Sequence, residues 1–149
     1  MRNRKHKSPI KFGNDYAEYR EVRAAHLLRP GRVVTEVGDG TLKIATARLQ
    51  PGCWIISDTY GFCIGGTVKA STPIAVMGRV LAVPFELRSQ CAIGTPVGSG
   101  PNGTVSIMTR NEVTQYPEAV IGTIVEVPDY EYWGPDNIPV NGRIWIKIK

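Results

Sequence analysis

Arg143-Ile144-Trp145-Ile146-Lys147-Ile148-Lys149 decides the fold class. Its isoleucines alternate with Arg143, Trp145, Lys147 and Lys149, and that period of two places Ile144, Ile146 and Ile148 on one face of a strand. The opposite face, carrying the cations, is expected to be wet. Asn141-Gly142 immediately before it is a turn signal, because both residue types tolerate positive φ. Asn102-Gly103 before TVSIM (104–108) repeats that signal, and Asp39-Gly40 marks a hairpin with a primed turn between RVVTEV (32–37) and TLKIATA (41–47).

Further pieces rich in Val, Ile and Thr are CWIISD (53–58), PIAVMGRVLAV (73–83) and AVIGTIVEV (119–127). The last is apolar on both faces, as in a central strand covered on both sides or a strand at a subunit contact. Thr109 and Glu112 have capping-box spacing, so TRNEVTQYP is expected to hold one short helix. Residues 15–29 read either as an extended lead-in or as a short helix. The chain therefore reads as mostly β. The expected architecture is a single compact domain over 14–149, a small β-barrel or sandwich of short antiparallel strands with one short helix, preceded by an extended N-terminal arm over 1–13.

The length of 149 residues suits one domain with a sizeable core, and 42% hydrophobic with 21% charged residues is a globular composition. No apolar run is long enough to span a membrane as a helix, and MRNRKHKSPIKF lacks the apolar region of a secretory leader, so neither a membrane partner nor a secreted precursor is expected. Cys53, Cys63 and Cys91 are too few and scattered for a disulfide framework or a metal knuckle, and are expected as buried free thiols.

The formal charge of +5 is concentrated at one end. Arg2, Arg4, Lys5, Lys7 and Lys11 are five of the 18 basic residues, leaving 13 basic against 13 acidic side chains in the rest. This is the pattern of an electrostatic arm laid on an acidic partner, or of a solvated terminus. Tyr130, Tyr132 and Trp133 in DYEYW are either an exposed aromatic partner patch or caps over a barrel end. They sit among acids, which repel phosphate, so a nucleic-acid-binding β-barrel is a minor alternative.

Catalytic chemistry has little support, and no catalytic, cofactor-binding or metal-ligating residue is expected. GTPVGSGPNGT (94–104) lacks the lysine of a phosphate loop and reads as a hairpin connection. His6 and His26 have no ligand or triad spacing. Ser57-Asp58 reads as a turn, since neighbours on a strand point to opposite faces. Asp15, Glu18 and Glu21 read as solvated partners of Arg20 and Arg23.

NDYAEY (14–19), PGCWIISDTYGFCIGG (51–66), PIAVMGRVLAVP (73–84) and the stretch from Gly94 to Lys149 resemble, in order, the C-terminal intramolecular chaperone domain of bacteriophage appendage and fibre proteins, the so-called peptidase G2 class of neck-appendage and prophage tail proteins. The resemblance implies a β-rich, trimerising module that helps a fibre fold in register and in some members cuts itself at its N-terminal boundary. Some members are described as binding a nucleotide. Here 13 residues precede Asn14, so no fibre in cis is expected, and a cut near Ser8, with Asp15 the nearest carboxylate, would release a short peptide. The expectation is a non-enzymatic structural virion protein, a head fibre, decoration, minor capsid or tail component. It would reside in host cytoplasm before assembly and dock as a homotrimer on capsid or tail proteins through the basic arm. An autoprocessing, chaperone-like protein is the alternative.

Overall fold

The computed structural model describes residues 14–149 and the backbone of Lys5–His6. In chain order the strands are β1 (Lys5–His6), β2 (Asp15–Arg20), β3 (Val33–Glu36), β4 (Leu42–Ile44), β5 (Cys53–Ile56), β6 (Tyr60–Ile64), β7 (Thr72–Ala82), β8 (Pro96–Ser99) and β9 (Val105–Ile107). Helix α1 (Arg110–Gln115) follows, then β10 (Gly122–Glu126), β11 (Tyr132–Trp133), β12 (Ile138–Pro139) and β13 (Ile144–Ile148). The main sheet runs β4-β3-β5-β7-β13-β10-β8-β9 and curls into a half-barrel; β2 and β6 branch from β7. Pairing is antiparallel throughout that sheet except for β2 with β6. A small second sheet joins β1, β11 and β12. The mostly β expectation with one short helix is met.

β7 organises the rest. Its first half pairs with β5 on one side and β2 on the other, and its second half pairs with β13. Ala75 and Val80 both face the main core although they are five residues apart, which a regular strand forbids. The extra residue is Val76: Tyr16 pairs with Met77 but Ala17 pairs with Ala75, a bulge that flips the faces from there on. Gly78 follows at φ +94, where a β-carbon would collide with the carbonyl of Asn14, so the chain crossing there requires glycine.

The core has three parts. One face of the sheet holds Val33, Ile55, Val80, Val97, Ile124, Ile144 and Ile146 with their neighbours. Val22, Val34, Leu42, Ile56 and Ile74 form a second cluster. The third comprises Leu81, Tyr130, Trp133, Val140 and Trp145, on the face of β13 opposite Ile144 and Ile146. This last cluster corrects the wet face expected for residues 143–149. Trp145 is 1% exposed and Arg143 is buried too, because the segment carrying β11 and β12 folds back over them; Lys147 and Lys149 alone keep the expected exposure.

Local chemistry explains the connections. Thr109 Oγ1 accepts from Glu112 N (3.2 Å) while the Glu112 carboxylate accepts from Thr109 N (2.9 Å), the expected capping box. Asn102-Gly103 and Asn141-Gly142 both take positive φ, as their turns require. The β3–β4 hairpin is present, but its positive φ values fall at Gly38 and Gly40 rather than at Asp39. Asp39 instead uses Oδ1 to accept from Thr41 N (2.9 Å) and Thr41 Oγ1 (2.6 Å). Residues 15–29 resolve into β2 and a 3₁₀ turn at Ala25–Leu27, so the extended reading holds for their first part.

Candidate functional site

Asp15 opens β2 at the crossing with Gly78, and this position buries its carboxyl to 6% exposure. Oδ1 accepts from Ser57 Oγ (3.0 Å) and Thr59 Oγ1 (2.8 Å), groups that the turn between β5 and β6 supplies. Ser57 Oγ also accepts from Thr59 N (3.1 Å), the turn role read from sequence. Oδ2 is buried with no hydrogen-bond partner. Burial pushes the Asp15 carboxyl up to about 6; the hydroxyls of Thr59 and Ser57 oppose this, and the negative charge of Asp58 adds to it. Asp15 is thus no member of a solvated ion-pair cluster. Glu18 stands three positions along the strand on the opposite face and pairs with Arg20 (3.6 Å), while Arg20 makes its closer contact with Glu36 (2.8 Å).

Above the carboxyl lies an open cleft lined by Asn14, Asp15, Tyr16, Phe62, Met77 and Lys147 with Gly61 and Gly78. Its rim is apolar. Tyr16 and Phe62 stack at 5.3 Å between ring centroids, and both rings are exposed. β6 alternates Tyr60, Phe62 and Ile64 with Gly61 and Cys63, and none of its residues is fully buried. Sequence reading missed this strand. The signal was available in the alternation of large and small side chains in YGFCI, which carries no charge.

Asp58 turns away from Ser57 and binds the buried Arg143 guanidinium through both oxygens (2.8 and 3.0 Å). Arg143 also donates to the carbonyls of Pro139 (2.5 Å) and Val140 (3.1 Å), so this charge pair pins the last turn to the β5–β6 connection. Among the described residues no three His, Cys, Asp or Glu side chains gather as a metal site. His26 is exposed, and the cysteines are free but half-buried rather than buried.

The aromatic residues singled out in sequence separate. Tyr130 and Trp133 are buried, and Tyr132 stays at the surface. Trp133 meets Trp145 edge-on at 5.1 Å, and Tyr130 Oη accepts from Trp145 Nε1 (2.9 Å) and donates to Glu126 (2.9 Å). Both rings pack into the third cluster, as caps would, and of the three only Tyr132 is at the surface. The backbone of Lys5–His6 runs parallel to Tyr132–Trp133, bringing part of the basic arm beside the DYEYW segment. Arg2, Arg4, Lys7, Lys11 and Ser8 lie outside the described residues. No family model matches the chain, and neither a curated protein nor a solved structure matches it.

Proposed function

We propose that this chain is a structural protein of a bacteriophage particle, a β-rich knob that sits on the capsid or tail as a homo-oligomer. The phrases resembling the appendage chaperone domain supply the setting. The structural observation that carries the reading is β6, which exposes Tyr60, Phe62 and Ile64 and among the described residues pairs only with β2. An uncharged apolar edge strand left open invites aggregation unless another chain covers it. The test is quantitative mass spectrometry of purified particles beside sedimentation of the isolated protein. Retention at a fixed copy number, with a multiple of 16.3 kDa in solution, supports the reading. Absence from particles overturns it.

Asp15 favours a second reading, that of an autoprocessing, chaperone-like protein. A carboxyl that stays protonated to about pH 6 is suited to general acid work, and this one adjoins the segment in which a cut is expected. Its shielding, with Ser57 at 2% exposure, means that the peptide ahead of Asn14 would have to enter the cleft. Intact-mass analysis separates the readings. A chain starting between residues 8 and 14, absent in Asp15→Asn, establishes processing, and a full-length chain in both excludes it.

A further inference from the structure

The segment 84–95 turns its polarity inside out. Glu86 accepts from Ser106 Oγ (2.9 Å) and Ile107 N (2.9 Å), and Arg88 donates to the carbonyls of Gly142 (3.0 Å), Arg143 (3.1 Å) and Pro128. Both of its charges are thus bound to the body of the half-barrel. Phe85, Leu87 and Ile93 are left between 56% and 70% exposed. A segment that works in water alone places these groups the other way round.

This makes a second apolar patch, separate from the one around β6. Met77 belongs to the β6 patch and Phe85 to the other, eight residues further along extended chain, up to roughly 25 Å at ~3.3 Å per residue. Tyr16, Tyr60, Phe62, Ile64 and Met77 are between 37% and 62% exposed. At ~200 Å² per large side chain the two patches offer roughly 500 and 400 Å². Their sum, ~900 Å², is the apolar share of a standard interface of ~1,600 Å². Outside residues 1–11 the charges balance, 18 basic residues less the five in that stretch leaving 13 against 13 acids, so the body itself has no net charge to oppose association.

We propose that segment 84–95 of one copy docks on the β6 edge of the next, closing a ring of copies. The occupant of each patch is the other patch on a second copy of this chain. A two-fold pairing of β6 with itself would leave Phe85, Leu87 and Ile93 in water, whereas a cyclic arrangement buries both patches in one repeated interface. The inference rests on the homo-oligomer reading and names its surface.

The test compares the full chain with Phe62→Lys and Leu87→Lys by sedimentation, with circular dichroism to confirm that both variants fold. The wild type is expected at a whole multiple of 16.3 kDa above one and each variant as a monomer, its association weakened about tenfold or more. Equimolar mixing of the two variants should restore a one-to-one dimer that grows no further, since the mixture holds one intact pairing. A wild-type monomer overturns the homo-oligomer reading itself. A wild-type oligomer that survives either substitution, or a mixture that stays monomeric at its highest soluble concentration, overturns this interface alone.

Discussion

Two aromatic pairs sit on the half-barrel at nearly the same separation, 5.1 Å for Trp133–Trp145 and 5.3 Å for Tyr16–Phe62, yet they live in opposite environments. The tryptophans are 3% and 1% exposed; Tyr16 and Phe62 are 37% and 58% exposed. Ring contact is therefore not what makes a core. The covering chain is. Trp145 is roofed by Tyr130, Trp133 and Val140, has Arg79 at 5.6 Å from its ring, and has its indole N–H satisfied, while among the described residues nothing covers Phe62 to the same effect. One pair is closed off inside the fold, and the other faces outward from the described residues.

Truncation should expose this contrast most sharply. Trp145→Ala is expected to cost about 4 kcal/mol in urea unfolding, whereas Phe62→Ala should cost less than about 1 kcal/mol in the monomer and act on association instead. Equal losses would break the comparison.

Asp58→Ala joins the two regions, because it removes the carboxylate from a buried Arg143 that anchors the start of β13. A loss of about 3 kcal/mol is expected, set by the guanidinium left unpaired, and a double variant with Arg143→Met should recover part of it in the same unfolding assay.

The third expectation concerns the carboxyl beneath the exposed pair. Asp15 titrates near 6 in the folded chain rather than at its ordinary 3.8, so folding takes up a proton between those values. Its contribution is most favourable below pH 4 and is lost as pH rises through 6, by about 3 kcal/mol at most. Asp15→Asn should thus be more stable than wild type above pH 6, with the difference vanishing near pH 4. Measuring the difference between the two proteins removes the opposite trend of Asp39 and Glu112, whose carboxyls are held at about 2 by their hydrogen bonds with Thr41 and Arg48.

The smallest effect is expected from Tyr130→Phe. It leaves the Trp145 N–H buried without its acceptor, worth about 1–2 kcal/mol in urea unfolding, and should leave oligomer size unchanged.

Legibility in the sequence divides along the same line. Strands with one strong local signal, such as Val33–Glu36 or Ile144–Ile148, and the Thr109–Glu112 cap could be read from neighbours in the chain. Trp145 was misread because alternation groups it with Lys147, and only the return of residues 130–140 over that face buries it. The Asp15–Ser57–Thr59 contact joins positions more than 40 residues apart, so no local pattern encodes it. Gly78 inside an apolar run is the visible trace of the bulge, but not of what crosses there.

The place of β13 in the sheet has a consequence for synthesis. It is the seam between β7 and β10, and it is made after both of them. Until residues 144–148 leave the ribosome, the nascent sheet exists as two halves, each with a bare edge of unpaired amides and carbonyls. A ribosome stalled just before residue 144 holds a chain with nearly all of these core residues and no single sheet to put them in.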